Sequence, residues 1–216
     1  MHTIYVHKPI RLTSPSGFSL VELLAVLAVI SVLSALSVMG LSSLYPAGKF
    51  TRSLSDLNGI IEQAKITATS QNTYVWLGLL DDGGKDGIYV SVVSSLSGEN
   101  DLTASNLRPV IRPTLLSQVG LENDVARNNS LANSIDPSLL EQLTTNTNGT
   151  FSTKFAGQTK TFTLVLRFTP QGEVSCQPNT SSRWIEIGLK NLQGTSPNVA
   201  SLQVSGLGGN VRLVRP

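Results

Sequence analysis

An unbroken apolar run near the N-terminus constrains this chain more than any other feature of its sequence. Residues 18–39 read FSLVELLAVLAVISVLSALSVM and contain one charged side chain, Glu22. A helix of this length spans roughly 33 Å, which is enough to cross a hydrocarbon core of about 30 Å. We therefore expect residues 18–39 to form a transmembrane helix.

The segment before the run sets the orientation of that helix. Residues 1–17 contain Lys8 and Arg11 and no acidic side chain. Basic residues next to a membrane helix stay on the cytoplasmic side. The sequence thus predicts a cytoplasmic leader over residues 1–17, a single membrane crossing, and a C-terminal portion outside the cytoplasm.

Two simpler interpretations of the run stay open at this point. A secretory signal peptide has a shorter apolar region before a small-x-small cleavage site, for which Ala35-Leu36-Ser37 is the candidate. A plain membrane anchor explains the length of the run but gives no reason for Glu22. That carboxyl group needs one, since an ionisable group inside a membrane costs about 2.5 to 3.5 kcal/mol.

A third interpretation accounts for Gly17, Phe18 and Glu22 together. The glycine followed by FSLVELLAVLAVI resembles the cleavage and methylation signature of type IV prepilins and pseudopilins. The resemblance implies that a prepilin peptidase cuts between Gly17 and Phe18 and that Phe18 is then N-methylated. It makes Glu22 the family's glutamate at the fifth mature position. It also implies residence in the inner membrane and then in a filament of pilin or pseudopilin subunits.

The chemistry of these residues suits that interpretation. Gly17 lets the peptide adopt an extended or left-handed backbone that a protease can hold. Cleavage creates a cationic amine on Phe18, and in a filament the amine of one subunit can pair with Glu22 of another. Each charge alone is costly in an apolar environment, so the pair would fix the register of assembly.

Residues 40–71 are predicted to continue the helix in amphipathic form. Gly40, Pro46 and Gly48 interrupt the pattern, which predicts a kink or an unwound stretch. Beyond them, apolar residues recur at alternating spacings of four and three, as on one face of a helix. These residues are Phe50, Leu54, Leu57, Ile61, Ala64 and Ala68. We expect this stripe to pack on a β-sheet.

Residues 72–216 are predicted to form a β-rich head. The segments 73–80 and 87–94 are rich in β-branched and aromatic residues and flank a polar turn, which indicates a hairpin. From residue 161, alternation places four apolar residues on one face, namely Phe162, Leu164, Leu166 and Phe168. Further strands are predicted at 185–189, 199–204 and 211–214. The expected fold class is α+β, a pilin-like lollipop in which the long N-terminal helix packs on a small antiparallel β-sheet head.

The stretch 95–150 interrupts this regular pattern. It lacks clear periodicity and is rich in Ser, Asn and Thr. A short strand around 108–119 and a helical turn after Asp136-Pro137 are predicted. The remainder is expected to be an exposed insertion.

The C-terminal half carries a second, looser resemblance. The phrases LRFTPQGEV at 166–174 and GGNVRLVRP at 208–216 are similar to those of the minor pseudopilin H and FimT group. That group includes pseudopilins of type II secretion systems and minor type IV pilins. The resemblance implies one of these two kinds of filament.

Histidine and cysteine usage argues against catalysis. Both histidines, His2 and His7, lie in the leader, and Cys176 is the single cysteine. The mature chain therefore lacks the residues for a His-based triad, an internal disulfide or a cysteine-based zinc site. We expect a protein that is not an enzyme and needs no cofactor, with Cys176 a small half-buried side chain. A secreted hydrolase behind an uncleaved anchor is the alternative, and no catalytic motif supports it.

The run Asp81-Asp82-Gly83-Gly84-Lys85-Asp86-Gly87 raises the question of calcium. Aligned on the EF-hand loop, it has Gly84 at the third position and Val93 at the twelfth, so two ligands are missing. A solvated hairpin turn is the favoured interpretation. The sequence does not decide whether residues 81–87 bind calcium, and no metal site is predicted.

Charge is distributed unevenly along the head. Residues 81–150 contain four basic and nine acidic residues, whereas residues 151–216 contain seven basic and two acidic ones. The seven basic residues are Lys154, Lys160, Arg167, Arg183, Lys190, Arg212 and Arg215. A basic surface attracts phosphate backbones, so a DNA-binding minor pilin that uses Arg212 and Arg215 for DNA uptake is the alternative function. Strand alternation spreads these side chains over both faces, which favours an ordinary solvated sheet.

The favoured function is a structural subunit of a type II secretion pseudopilus or a type IV pilus. Its expected partners are prepilin peptidase, other pilin or pseudopilin subunits and inner-membrane lipid, with DNA less favoured. The sequence does not identify the machine, the position of the subunit in the filament, or whether it is a major or a minor component.

Overall fold

The computed structural model contains helices followed by β-sheets, so the fold class is α+β as predicted. It describes residues 19–41, 44–84, 86–128, 131, 134–143, 148–177, 183–193 and 198–215. The chain divides into two compact units, Met1–Ser42 and Ser43–Pro216.

In the first unit the structure describes residues 19–41, which contain one helix, α1, over Leu20–Leu41. Ten large apolar side chains between Leu20 and Leu33 are each 50–74% exposed, so the helix is apolar on every face. A helix of this kind is normally covered by lipid or by other helices. Among the residues that the structure describes, no helix is both long and apolar enough to span a membrane.

The second unit begins with the helix α2, Leu44–Ser70. All six residues of the predicted apolar stripe, from Phe50 to Ala68, are 0% exposed, which confirms the periodicity. Gly40 is the second-last residue of α1, and Pro46 and Gly48 lie within the first two turns of α2. The predicted kink or unwound stretch includes residues 42 and 43, which lie outside the described residues. Pro46 lies in the first turn of α2, where a missing backbone N–H costs no hydrogen bond.

The described remainder of this unit contains twelve strands, one short α-helix and two 3-10 helices, Ala104–Asn106 and Pro137–Leu139. The α-helix and the strands are numbered along the chain. In chain order they are β1 Val75–Leu80, β2 Gly87–Ser95, β3 Leu107–Ser117, β4 Val119–Leu121, α3 Val125–Asn128, β5 Leu140–Gln142, β6 Phe151–Phe155, β7 Gln158–Phe162, β8 Leu164–Phe168, β9 Val174–Ser175, β10 Trp184–Asn191, β11 Val199–Ser205 and β12 Val211–Val214. The predicted hairpin is confirmed as β1 and β2, with Val75 opposite Ser94.

The strands form two larger sheets and a separate hairpin, rather than one small sheet. The first sheet has the order β3-β2-β1-β8-β9, and the second has the order β12-β11-β10-β4 with β5 added parallel to β10. The hairpin consists of β6 and β7. The buried stripe of α2 and apolar residues of both sheets form one core, which includes Leu77, Leu166 and Leu202.

The stretch 95–150 was predicted to be an exposed insertion apart from one strand and one turn, and this prediction was wrong for the residues of β4 and β5. It supplies β3 to the first sheet and both β4 and β5 to the second. Leu116, Val119 and Leu143 join the core. The predicted strand is confirmed, and so is the turn after Asp136, which is a 3-10 helix over Pro137–Leu139.

The prediction that Phe162 and Leu164 lie on one face of a strand was also wrong. The chain leaves the β6–β7 hairpin after Phe162 and enters the first sheet at Leu164. Phe162 and Phe151 stack with ring centroids 5.2 Å apart and form a second cluster with Trp76. The hairpin thus covers the face of the first sheet that lies opposite α2, which explains why five consecutive residues of β1 are buried.

Cys176 is more buried than expected. It is 0% exposed and belongs to the main core, rather than being half-buried. Free cysteine is among the most buried residue types and packs as a small apolar side chain. The structure therefore gives Cys176 a packing role.

Candidate functional site

The described part of the chain begins at Ser19, the second residue after the predicted cleavage point. Gly17 and Phe18 lie outside the described residues. Ser19 precedes α1, and the helix starts at Leu20. The helical backbone therefore begins two residues beyond Phe18, the residue that the resemblance makes the new N-terminus.

Ser19 and Glu22 cap the start of α1 together. The backbone N–H of Ser19 donates to Glu22 Oε2 at 3.0 Å, and the backbone N–H of Glu22 donates to Ser19 Oγ at 3.2 Å. This reciprocal pair is a capping box, in which two otherwise unsatisfied N–H groups of a helix start are paired. This role was not predicted from the sequence, although the pattern Ser-x-x-Glu before an apolar run was its signal.

Glu22 keeps capacity for a further partner. Its carboxylate is exposed, and only Oε2 accepts a hydrogen bond from a described residue. A negative side chain in the first turn of a helix also interacts favourably with the helix dipole. The Oε1 oxygen is thus available to a cation from outside the described part of the chain.

The serines further along α1 satisfy their hydroxyl donors within the helix. Ser31 Oγ donates to the carbonyl of Ala28 at 2.8 Å, and Ser34 Oγ donates to the carbonyl of Ile30 at 2.8 Å. Such back-bonding lets a hydroxyl enter an environment without water, where an unpaired donor is costly. Between Leu20 and Ala35, Glu22 is therefore the one polar side chain that still needs a partner when water is excluded.

The basic residues of the C-terminal half do not form one free surface. Lys160 Nζ contacts Asp82 Oδ2 at 2.7 Å and lies 4.4 Å from the ring centroid of Tyr89. The hydrogen bond from Lys160 holds the pKa of Asp82 below its ordinary value, and the same bond raises the pKa of Lys160. Lys190 pairs with Glu122 at 2.8 Å.

The two arginines predicted to contact DNA are placed differently. Arg212 is exposed on β12. Arg215 packs on α2, where Nη1 donates to Thr51 Oγ1 at 3.3 Å and the guanidinium lies 5.9 Å from the ring centroid of Phe50. A DNA contact by Arg212 and Arg215 stays a prediction.

The loop at 81–87 is closed by its own aspartates. Asp81 Oδ1 accepts the N–H of Gly83 at 2.9 Å, and Asp82 Oδ1 accepts the N–H of Gly84 at 3.3 Å. Lys85 lies outside the described residues. In the parts of the chain that the structure covers, no three metal-ligating side chains come together.

Comparison with known proteins identifies the N-terminal segment. Residues 13–38 match the prokaryotic N-terminal methylation motif. No significant match to a curated protein or to a solved structure was found, so the looser resemblance to the H and FimT group is not confirmed. The matched range contains Gly17, Phe18 and the Ser19–Glu22 capping box, and it ends within α1. The chain carries the signature of type IV prepilins.

Proposed function

We propose that the protein is a structural subunit of a type II secretion pseudopilus or a type IV pilus. Prepilin peptidase cuts the precursor between Gly17 and Phe18, and the processed chains assemble through their N-terminal helices. The observation that carries the proposal is the methylation motif at residues 13–38. The motif marks a pilin-like or pseudopilin precursor, and proteins of this type are structural subunits rather than enzymes.

The apolar surface of α1 supports assembly through this helix. Its exposed Leu, Val and Ile side chains gain about 25 cal/mol for each Å² removed from water. Inner-membrane lipid covers them before assembly, and neighbouring helices cover them in the filament. The head then lies outside the cytoplasm.

Glu22 supports a specific register for this packing. Its unengaged Oε1 oxygen is the acceptor for the N-methylated amine of Phe18 from a neighbouring subunit. Pairing satisfies both charges where either alone is costly. The capping bond from Ser19 holds the carboxylate in place while this pair forms.

The test is to express the full chain with and without a prepilin peptidase and to determine the intact mass and the N-terminal sequence. We expect a chain that starts at N-methylated Phe18 only with the active peptidase, and a Gly17→Val variant that stays uncut. Ser16→Ala is the matched control and is cut normally. A chain that starts at Met1, or just after Ser37, would contradict the proposal.

DNA uptake is the second candidate, and it rests on charge. Residues 151–216 contain seven basic and two acidic residues, and Arg212 is exposed. Binding through phosphates predicts an affinity for duplex DNA that falls steeply with salt. Arg212→Ala and Arg215→Ala should weaken it, with unfolding measured alongside because Arg215 packs on Phe50. Binding that does not depend on salt would remove this candidate.

A further inference from the structure

An acidic cavity lies at one edge of the second sheet. Its volume is about 270 Å³. Three carboxylate side chains line it, those of Asp81, Glu122 and Glu186, and none of its described lining residues is basic. The lining also includes four large aliphatic side chains, which are Leu121, Leu143, Leu164 and Ile187. The cavity therefore suits a partner that presents a cation next to an apolar side chain.

The cavity lies at a gap in the pairing of β10. On this side of β10, β5 pairs with residues 184–186 and β4 pairs with residues 189–191. No described strand pairs with β10 on this side at Ile187 and Gly188, and both residues line the cavity. The edge of the sheet is thus open at this point.

Two of the three carboxylates can meet a further cation. Both oxygens of Glu186 accept hydrogen bonds from within the chain. Asp81 is exposed and uses Oδ1 for the N–H of Gly83, and Glu122 is half-buried and pairs with Lys190 through Oε2. The second oxygen of Asp81 and of Glu122 accepts no hydrogen bond from a described residue. Within the described chain these side chains do not form a metal site.

The opposite edge of the same sheet has the complementary character. Among the residues that the structure describes, β12 pairs with β11 alone, so its other side is an open edge. Arg212 is exposed on this strand, and Leu213 is 45% exposed. This edge therefore presents a cation next to an apolar side chain.

The two edges are also level with each other along the strands. Through its pairing with β11, Arg212 lies level with Glu186 on β10. Leu213 lies level with Ile187 in the same way. Because Glu186 and Ile187 both line the cavity, a second copy displaced across the sheet brings its own Arg212 and Leu213 to the height of the cavity.

We propose that the β12 edge of one copy of this chain docks against the acidic cavity of the next copy. Arg212 meets Asp81 and Glu122, and Leu213 packs on the aliphatic part of the lining. The inference rests on the proposed function, because the filament is what holds the copies side by side. Opposite edges of the sheet meet, so the contact is heterologous and repeats from copy to copy, as an open filament requires.

The docked heads need only a small contact. Packing of the α1 helices already joins the copies, so a second contact forms at a high effective concentration. Exposed ion pairs contribute little to stability and are screened by salt. Charge complementarity does, however, select one orientation over others. The contact therefore directs how the heads are arranged rather than driving assembly.

Disulfide crosslinking between two single-cysteine variants of the full chain tests the contact. Leu213→Cys and Asn123→Cys are produced together in cells that contain prepilin peptidase, and the membranes are then oxidised. Asn123 is exposed and lines the cavity, whereas the native Cys176 is 0% exposed, so the introduced cysteines are the ones that react. We expect a covalent dimer when both variants are present and none when either is present alone.

A charge reversal in the Leu213→Cys chain tests the role of Arg212. With Arg212→Glu we expect the dimer yield to fall at least about fivefold, because like charges then face each other. Arg112→Glu is the matched control, since Arg112 is an exposed arginine on β3, an edge strand of the first sheet. It should leave the yield unchanged. Circular dichroism of each variant confirms that it is folded.

The intact mass and the sedimentation of the same samples separate this inference from the proposed function. Processed chains that sediment as filaments but form no mixed dimer would overturn the docking alone. Chains that stay uncut, or that are cut without assembling, would overturn both. A dimer from Leu213→Cys alone would indicate a symmetric contact between β12 edges and would overturn the docking. An unchanged yield with Arg212→Glu, or an equal loss with Arg112→Glu, would do the same.

Discussion

Ser19 and Glu22 hydrogen-bond to each other twice across the first turn of α1, with each backbone N–H donating to the other residue's side chain. One carboxylate oxygen therefore caps the helix, and the other is not engaged by any described residue. The two roles of Glu22, capping and charge pairing, use different atoms and can be separated by substitution.

Glu22→Gln separates these roles. Glutamine keeps an oxygen that accepts the N–H of Ser19, so the helix start is retained. It has no charge, so the amine of Phe18 loses its partner in the apolar core of the filament, and we expect filament assembly to fall at least about tenfold. The measurement is the fraction of processed subunit that sediments as filaments. Normal assembly of Glu22→Gln together with failure of Glu22→Ala would assign the role of Glu22 to capping alone.

Gly78→Ala tests the packing of the β6–β7 hairpin on the first sheet. A β-carbon at Gly78 would lie 2.5 Å from Cβ of Phe162 and 2.7 Å from the ring of Phe151. The neighbouring atoms have to shift, and overpacking of this kind costs about 1 to 3 kcal/mol. We expect a lower free energy of unfolding by this amount in denaturant titration of the full chain.

Gly59→Ala is the matched control for that substitution. Gly59 lies within α2, and a β-carbon there meets nothing within 4 Å. Alanine in a helix interior is about 0.5 to 1 kcal/mol more favourable than glycine. The same chemical change should therefore stabilise the protein at residue 59 and destabilise it at residue 78. Equal effects at both positions would contradict the assigned packing at Gly78.

The sequence predicted those elements whose signals are local. The stripe on α2 repeats with helical spacing, and the methylation motif is a continuous segment, so both were found. The capping box was equally local, since serine and glutamate stand three residues apart, but Glu22 had already been explained by its charge. Gly78 also carried a local signal, because a glycine inside a strand indicates that another segment approaches closely at that point.

The missed features depend on contacts between distant segments. Phe162 and Leu164 continue one alternating pattern although the chain changes sheets between them, so no local signal marks the change. β3 was predicted although Pro109 and Pro113 argue against a strand, and its edge position makes them tolerable; no local signal identified the strand with which it pairs. Glu186 likewise bonds with Ala126, Gln142 and Ser201, which come from three separate parts of the chain. Such a network becomes visible only after the strands are paired.

Glu186 holds the segment around α3 against the second sheet. Glu186 is 1% exposed. Its Oε1 oxygen accepts a hydrogen bond from the N–H of Ala126 at 2.8 Å and another from the hydroxyl of Ser201 at 2.6 Å. Gln142 donates its side-chain amide to Oε2. Glu186→Ala leaves several buried donors unpaired, so we expect a loss of about 3 kcal/mol in the free energy of unfolding. Glu186→Gln keeps part of the network and should lose less.

Limited proteolysis gives a second measurement of this role. The Glu186→Ala variant should be cut faster within residues 122–143, because this segment loses its contact with β10. Glu62→Gln, an exposed substitution on α2, serves as the control and should behave like the wild-type protein. An unchanged cleavage rate in folded Glu186→Ala protein would show that other contacts hold the segment.

The pair formed by Asp82 and Lys160 makes stability depend on pH in a defined direction. Because the pKa of Asp82 is lowered in the folded protein, its contribution is present above the unfolded value of about 4 and is lost as the pH falls through the folded value. The pKa of Lys160 is raised, so its contribution is complete below about 10.4 and is lost as the pH rises through its folded value. The stability difference between wild-type protein and Asp82→Asn should therefore be largest near neutral pH and shrink at both extremes.

Denaturant titrations across the pH range measure this stability difference, with Asp81→Asn as the control that leaves the pair intact. A difference that stays constant with pH would mean that Asp82 acts through turn geometry rather than through its charge.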